Sequence, residues 1–342
     1  MLTINFLAAA RLERAYNRII SLAAAQSPIV SPEHYYFCRQ PNWYNGYRFP
    51  LPTDIYVPLR DLLLGLFVIA IWALNIIVIK VGVAELPPLL LTTLRFSLVA
   101  ILLVPFYPVA RAQLPFLLLL SITFGSLHFA LLFIGLEHAE AGTGALLVQM
   151  GTPFATLLAV IFLKEKLGPK RIVGLLLSFV GIVVLAGGPT LPTPLPLVIL
   201  LCSAMGWAVS QLLIKRGPPI APMALAGWVA LFAVPQVALG SWLFESGQWQ
   251  AMQQASWLGW GAMIYTAVMS SIVAYGIWYA LLRRHPVNRV VPMTLLVPVL
   301  AVGLGALLMG DSLGVHKLVG GGLVVAGIAL IVIRFRRRPQ PA

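Results

Sequence analysis

Uninterrupted apolar runs of about twenty residues dominate the chain and constrain its fold more than any other feature. About twenty residues is the length at which an α-helix crosses the ~30 Å hydrocarbon core of a bilayer. Of the 342 residues, 60% are hydrophobic and only 10% are charged, and the mean hydropathy is +0.93. This is too little charge to cover the surface of a soluble protein of this size. The pattern predicts an all-α polytopic membrane protein in contact with the lipid bilayer.

Ten membrane-spanning helices are predicted, with Pro, Gly or charged residues at every boundary. The predicted spans cover residues 62–80, 88–107, 114–136, 142–163, 171–187, 195–214, 221–243, 257–281, 290–309 and 317–333. Pro292 and Pro298 lie in the ninth span, where they are expected to break the helix and free carbonyl groups into a cavity.

Basic residues concentrate in alternate loops, and this asymmetry predicts the orientation. If the first span runs from the inside to the outside, the clusters around Lys164, Arg283 and Arg336 become cytoplasmic, and the outer side keeps only Lys80 and Lys317. Both lysines lie at helix ends, where they are expected to snorkel towards the interface. Both termini are therefore predicted to be cytoplasmic. The net charge of +13 reflects this orientation signal and does not indicate a nucleic-acid partner.

Two segments carry the same pattern: WALNIIVIKVG (72–82) and WAVSQLLIKRG (207–217) share Trp, Ala, Ile, Lys and Gly at equal spacings, 135 residues apart. A second pair of segments, 163–185 and 309–331, aligns at an offset of 146. Each half thus contains five helices, and because five is odd, the second half enters the membrane from the opposite side. Such inverted repeats are typical of transporters with a substrate site at the midplane between the halves. Duplication for structural stability alone is the alternative.

Glycines recur in the aligned fifth and tenth spans. They are Gly174, Gly181, Gly320 and Gly327. Small residues let transmembrane helices approach closely, so this series predicts helix packing rather than chemistry.

Residues 1–56 are turn-rich and polar-aromatic, unlike the rest of the chain, and they show no signal-peptide pattern. We expect a poorly structured extension and a working protein that starts near Val57, with a surface-lying amphipathic helix as the alternative. The predicted organisation is this extension at 1–56, a first five-helix repeat at 57–188, a second at 189–335 and a basic cytoplasmic tail at 336–342.

The run LFVIAIWALNIIVIKVGVAELPPLLLTTLRFSLVA (66–100) resembles the first two helices of the EamA-type transporters of the drug/metabolite transporter superfamily. The run SSIVAYGIWYALLRRHPVNRVVPMTLLVPVLAVGLGALLMGDSLG (270–314) resembles the eighth and ninth helices of that family. The likeness covers about residues 57–335, and within the family it is greatest to the bacterial exporters of O-acetylserine and cysteine. It implies two inverted five-helix halves, a cytoplasmic (inner) membrane location and efflux of small metabolites.

Arg95 and His128 are ionisable side chains predicted at membrane depth, where a polar group faces a cavity or a partner. Arg95 lies near the middle of the second span, too deep for its side chain to reach the interface. Contact with a substrate carboxylate and a structural tie to neighbouring helices are both open for Arg95. His128 lies near the centre of the third span and titrates near neutral pH. A proton carrier and a hydrogen-bonded structural residue are its two interpretations.

Other polar and aromatic side chains inside the spans are candidates for the substrate pathway. Amides and hydroxyls suit a zwitterion, and aromatic faces suit apolar or cationic groups, although each can equally join helices. With Arg95 and His128, the candidates are Trp72, Asn75, Gln149, Trp207, Ser210, Gln211, Tyr275, Trp278 and Pro298.

Motifs for ATP hydrolysis, zinc proteolysis and serine hydrolysis do not occur in the chain. We therefore predict no cofactor, no metal site and no catalytic residue, and expect no enzyme. The predicted function is secondary export, by alternating access, of small amino-acid-like metabolites such as cysteine or O-acetylserine. Export of another metabolite or a drug-like amphipathic compound is the alternative, and an intramembrane lipid-modifying enzyme is a distant one. The expected partners are a small-molecule substrate and lipid, with monomer and homodimer both open.

Overall fold

The computed structural model describes residues 58–163, 168–186, 194–285 and 290–332, and within them every regular element is helical. The helices are α1 (Leu59–Val83), α2 (Pro88–Leu103), α3 (Arg111–His138), α4 (Ala141–Val148 and Gly151–Leu163), α5 (Pro169–Ala186), α6 (Pro194–Arg216), α7 (Pro222–Phe244), α8 (Trp257–Ile264, Tyr265–Ala274 and Tyr275–Arg284), α9 (Val291–Leu295, Leu296–Leu304 and Gly305–Met309) and α10 (Val315–Val332). A short helix, Gln248–Gln254, joins α7 to α8. The predictions for residues 1–56 and 336–342 fall outside the described residues.

Within the described residues, six helices are long and apolar enough to cross a bilayer by length and composition: α1, α3, α4, α6, α7 and α8. Three shorter apolar helices correspond to α2, α9 and α10, and α5 has 18 residues. Many large apolar side chains on these helices are exposed, as expected for surfaces that face lipid. The predicted polytopic all-helical membrane fold is confirmed.

Proline sets several helix boundaries. Pro88, Pro169, Pro194 and Pro222 stand at the first positions of α2, α5, α6 and α7, where the fixed φ of proline suits a helix and its missing N–H removes no hydrogen bond. The predicted second span, 88–107, was too long, because α2 ends at Leu103 just ahead of Pro105.

Two predicted spans are interrupted or irregular. The fourth span is present, with a turn at Gln149 and Met150 between its two helical segments. In α9 a 3₁₀ turn, Val291–Leu295, precedes the α-helical part. Pro298 lies in the first turn of that α-helical part, where proline is tolerated. The predicted break of the ninth helix therefore takes the form of a change of helix type ahead of Pro298.

Three π-helical segments occur in the described residues: Ser121–Ala130 in α3, Tyr265–Ala274 in α8 and Gly305–Met309 in α9. The first two are ten residues long and occupy equivalent places in the two halves. π-Helical turns are rare and occur frequently at functional sites. Their paired occurrence marks the middle of α3 and of α8 as the places to examine for function.

The two five-helix halves pack against each other through equivalent helices. α2 packs against α7, α4 against α9 and α5 against α10, so these helices meet their own counterparts. α1 packs against the π-helical segment of α8, and in the equivalent way α6 packs against that of α3. The π-helical segments of α3 and α8 therefore both lie at contacts between the halves.

Close packing of α5 on α10 explains the glycine series. A methyl group added at Gly174 would lie 2.6 Å from the carbonyl oxygen of Gly327, and one added at Gly181 would lie 2.8 Å from that of Gly320. Such distances are too short for any side chain, so the two helix backbones touch. The prediction that these glycines serve helix contact is confirmed.

Two glutamates, Glu85 after α1 and Glu245 after α7, cap helices of the opposite half. Glu245 accepts hydrogen bonds from the backbone N–H groups of Leu89 and Leu90 at 2.7 and 3.0 Å, which caps the start of α2. Glu85 accepts from the backbone and hydroxyl of Ser256 at 2.7 and 2.8 Å, at the start of α8. These hydrogen bonds lower the pKa of Glu85 below its ordinary value. A cavity of about 540 Å³ opens at this end of the bundle, with Glu85, Glu137 and Glu245 in its wall.

Candidate functional site

The side chain of Arg95 lies on α2 at the contact between the two halves and is only 1% exposed. Its Nη2 donates to the hydroxyl of Ser271 on α8 at 2.7 Å, and that hydroxyl donates to the carbonyl of Thr266 at 2.9 Å. The guanidinium carbon lies 4.5 Å from the ring centre of Phe129 and 5.2 Å from that of Phe133. The arginine is therefore tied to the second half and surrounded by aromatic rings of the first.

Two donors of Arg95 have no hydrogen-bond partner within the described residues, namely Nε and Nη1, and both are buried. Burying an incompletely paired charge costs several kcal/mol. Each aromatic contact, including that to Phe96 at 5.3 Å, offsets about 0.5–2 kcal/mol of this cost. A guanidinium presents its N–H groups as a rigid fork that matches a carboxylate. The surroundings of Arg95 thus favour an anionic group beside Nε and Nη1.

Three aromatic candidates meet where α1 packs against α8, near this arginine. The ring centre of Trp72 lies 5.2 Å from that of Tyr275 and 5.3 Å from that of Trp278. The indole Nε1 of Trp72 donates to the carbonyl of Ser270 at 3.4 Å, and Arg95 meets the next residue of the same π-helical segment.

Asn75 lies on α1 one turn beyond Trp72 and is 8% exposed. Its Oδ1 is buried and has no hydrogen-bond partner within the described residues. Residues three apart on a helix are neighbours on its surface, so Asn75 and Trp72 lie on one side of α1. Asn75 therefore adds a buried acceptor on the helix that packs against the π-helical segment of α8.

His128 joins α3 to α6 of the second half. Its Nδ1 lies 3.0 Å from the carbonyl oxygen of Ser203, and the Ser203 hydroxyl donates back to the carbonyl of His128 at 2.7 Å. Because a carbonyl can only accept, Nδ1 carries the proton in this contact. The ring centre of His128 is 4.7 Å from that of Phe129, so Phe129 contacts both His128 and Arg95.

Two candidates on α6, Ser210 and Trp207, contact helices of the first half. The hydroxyl of Ser210 donates to the carbonyl of Gly206 at 2.7 Å and lies 3.1 Å from the hydroxyl of Thr123 on α3. Trp207 packs against Gly151, where an added methyl group would lie 2.7 Å from the indole ring. No hydrogen bond or ring contact within the described residues joins Arg95 to Gln149, Trp207, Gln211 or Pro298.

The structure therefore brings together five predicted residues, with Arg95, Trp72, Tyr275 and Trp278 around α8 and His128 behind Phe129. It also reveals contributors that the sequence analysis did not single out: Ser270, Ser271, Phe96, Phe129 and Phe133. Serine and phenylalanine are common inside apolar helices, so residue type alone carries no signal there. Their role is visible only from their contacts with Arg95 and Trp72.

Ion pairs join the two halves near the start of α4. Lys317 of α10 lies 2.7 Å from Glu140 and 3.6 Å from Asp311, and its side chain is only 1% exposed. Asp311 also accepts from the backbone N–H of Gly142 at 2.9 Å. Burial raises the pKa of Glu140. The hydrogen bond and the charge of Lys317, together with hydrogen bonds from Ser312, outweigh this effect and hold that pKa below its ordinary value.

The expectation that Lys317 snorkels towards the interface was wrong. Lys317 is buried because its ammonium group pairs with two carboxylates of the protein and does not extend to the membrane interface. Lys80 is half-buried, and its Nζ donates to the carbonyl of Glu137 at 2.9 Å. Position along a helix places a lysine near the interface, but the neighbouring helix decides where its ammonium group goes.

A second ion-pair cluster joins the halves at the opposite end of the bundle. The carboxylate of Asp61, at the start of α1, lies 2.6 Å from Nε2 of His285 and 3.4 Å from Nη1 of Arg284, both at the end of α8. Asp61 and His285 are buried. Polar contacts thus join the halves at both ends of the bundle.

Comparison with known proteins places this architecture in a family. The EamA-like transporter family matches residues 59–187 and again residues 195–333. A protein of Salmonella typhimurium named "Probable amino-acid metabolite efflux pump" is 34% identical over 293 residues, covering 82% of this chain and 97% of that protein. A protein of Escherichia coli with the same name is 32% identical, with equal coverage.

More distant matches agree. The "Uncharacterized inner membrane transporter YedA" of Escherichia coli is 27% identical and covers 81% of this chain and 91% of its own length. A solved crystal structure has the same fold, with a TM-score of 0.55 over 80% of this chain and 96% of its own, at 22% identity. The two matches to the family cover the two five-helix halves. The chain belongs to the EamA-like transporter family.

Proposed function

We propose that this chain is a secondary transporter that exports small amino-acid-like metabolites across the inner membrane by alternating access, and that it catalyses no reaction. The relatives named amino-acid metabolite efflux pumps support the substrate class. The name of the inner membrane relative supports the location. Cysteine and O-acetylserine are the first substrates to test, because the sequence resembles their exporters.

One observation carries the proposal: Arg95 is buried between the halves with two donors that no described residue satisfies. A carboxylate is the group that amino-acid-like metabolites share, and it matches those donors in charge and geometry. In this proposal Arg95 binds the carboxylate, and the surrounding rings of Phe129, Trp72 and Tyr275 contact the rest of the molecule.

The two inter-half ion-pair clusters support alternating access. Transport requires that one end of the bundle opens while the other stays closed. The cluster of Lys317, Glu140 and Asp311 joins the halves at one end, and the contacts of Asp61 with His285 and Arg284 join them at the other. We propose that the two clusters open in turn, with loading from the cytoplasm and release outside. The predicted orientation, with both termini cytoplasmic, assigns the Asp61 end to the cytoplasm.

The test is transport by membranes of cells that overproduce the protein. Inside-out vesicles should take up labelled cysteine or O-acetylserine faster than vesicles without the protein, and the culture medium should accumulate the same compounds. A panel with drug-like amphipathic cations and sugar phosphates distinguishes the alternative cargo. Uptake of those compounds together with no response to any amino-acid-like metabolite would reject the proposed substrate class.

A further inference from the structure

Two buried groups of opposite hydrogen-bonding character are left without a partner in the first half. Within the described residues, the buried side-chain atoms without a hydrogen bond are Oδ1 of Asn75, Nε and Nη1 of Arg95, and Nδ1 of His285. His285 lies at the end of α8 and already pairs with Asp61. Asn75 and Arg95 are different, because they sit inside the spans on α1 and α2. One offers an acceptor and the other offers donors.

Arg95 and Trp72, which is the neighbour of Asn75 on α1, contact the same stretch of α8. Arg95 donates to Ser271, and Trp72, one turn before Asn75, donates to the carbonyl of Ser270. The chain thus anchors α1 and α2 on adjacent residues of one π-helical segment. A small ligand held at this segment can meet donors from α2 and an acceptor from α1.

The counterparts in the second half cannot do the same. In the repeated motif, Ser210 stands where the first half has Asn75, and its hydroxyl is already engaged with Gly206 and Thr123. The stretch PMALAGWVAL (222–231), which stands where the first half has Arg95, contains no arginine. The two unsatisfied groups therefore form an asymmetric pair that only the first half provides.

We infer that Arg95 and Asn75 bind the two charged ends of one zwitterionic α-amino acid: Arg95 takes the carboxylate, and Oδ1 of Asn75 accepts from the ammonium group. The ammonium group has three donors and no acceptor, which complements the amide oxygen. The faces of Trp72 and Tyr275 add cation–π attraction to the same positive end. This inference rests on the proposed function and narrows its substrate class. A substrate must carry both an ammonium group and a carboxylate, and neither Arg95 nor Asn75 contacts its side chain.

The experiment measures binding by the full chain, purified in detergent or nanodiscs, of three probes: L-cysteine, N-acetyl-L-cysteine and L-cysteine methyl ester. Measurements are made under reducing conditions at a pH of about 6, where amino groups are protonated. The second probe lacks the ammonium charge, and the third lacks the carboxylate. Charge-assisted hydrogen bonds predict that the wild-type protein binds each modified probe about ten-fold or more weakly than L-cysteine.

Variants assign each loss to its residue. Asn75→Leu should weaken L-cysteine binding about ten-fold and should remove the difference between L-cysteine and the N-acetyl probe, while the methyl ester still binds worse. Arg95→Gln should show the converse pattern. Ser97→Ala is the matched control, because among the described residues the Ser97 hydroxyl bonds to nothing but the carbonyl of Thr93 within α2. It should bind all three probes as the wild type does.

The outcomes separate the inference from the proposed function. If the wild-type protein binds L-cysteine and both modified probes equally well, the inference is overturned while the proposed substrate class survives. If Asn75→Leu keeps the wild-type affinity for L-cysteine and the wild-type preference for it over the N-acetyl probe, Asn75 does not bind the ammonium group. If none of the probes binds but a different class of compound does, the proposed function fails and the inference fails with it. Since the wild-type comparison needs no variant, loss of folding in Asn75→Leu does not remove the test.

Discussion

Gly327→Ala should destabilise the protein, because α5 and α10 touch through their backbones at this position. A methyl group at Gly327 would lie 2.3 Å from the hydroxyl oxygen of Ser178 and 2.5 Å from the carbonyl oxygen of Gly174. Ordinary contact between such atoms requires about 3.5 Å. The two helices would have to separate by roughly 1 Å, since a backbone carbonyl cannot rotate away as a side chain can.

The magnitude follows from two opposing effects. Overpacking a tight contact costs about 1–3 kcal/mol, and a contact against backbone lies at the upper end of that range. Replacing glycine by alanine in a helix gains about 0.8–1 kcal/mol of helix propensity, which offsets part of the cost. A net loss of about 1–2 kcal/mol should lower the apparent melting temperature by roughly 2–8 °C.

The assay is thermal unfolding of the purified variants in one detergent, with Gly322→Ala as the matched control. Gly322 lies on the same helix, and a methyl group there would meet nothing within 4 Å. It should leave the melting temperature unchanged or raise it slightly through helix propensity. The Gly174→Ala and Gly327→Ala double variant should lose less than the sum of the single losses, because one separation of the helices relieves both contacts. Equal melting temperatures for Gly327→Ala and Gly322→Ala would refute the close contact.

Three further predictions address orientation and charge. In an otherwise cysteine-free chain, a cysteine at Gly247 should react with an impermeant thiol reagent from outside and one at Gln113 should not; the reverse pattern would contradict the proposed orientation. Lys317→Met leaves Glu140 and Asp311 without their cation, so it should destabilise the protein by about 3–5 kcal/mol in chemical unfolding, and a loss under about 1 kcal/mol would contradict the ion-pair cluster. The folded-state pKa of Glu140 lies below its ordinary value of 4.5, so its ionised form contributes stability above that value, which is lost as the pH falls through the folded-state pKa. The melting temperatures of wild type and Glu140→Gln should therefore differ at neutral pH and converge as the pH drops below 4.5; a gap that does not depend on pH would show that Glu140 does not contribute in this way.

The spans and the repeat could be predicted from the sequence because the bilayer imposes length and polarity directly on the chain. Arg95 was found for the same reason, since a charged residue in the middle of an apolar run stands out. The role of the glycines of α5 and α10 could also be predicted. A residue without a side chain lets two membrane helices approach closely, which is its common role where such helices meet.

Contacts that depend on helix rotation could not be predicted in this way. The expectation for Lys317 used its depth but could not include the carboxylates that the neighbouring loops bring to it. The pairing of Arg95 with Ser271 depends on the packing of α2 against α8, which no local pattern encodes. The π-helical segments of α3 and α8 likewise show no distinctive residue type, so no local pattern predicts them.

The central claim, that an amino-acid-like substrate passes through the site at Arg95, is tested most directly by counterflow in proteoliposomes containing purified protein. Wild-type protein and Ser97→Ala should accumulate labelled cysteine against an internal pool of unlabelled cysteine. Arg95→Gln should raise the half-saturating concentration about ten-fold or more, since it removes the charge that pairs with the carboxylate. Arg95→Lys should restore only part of the affinity, because lysine keeps the charge but loses the fork. Wild-type counterflow by a stably folded Arg95→Gln protein would contradict the claim.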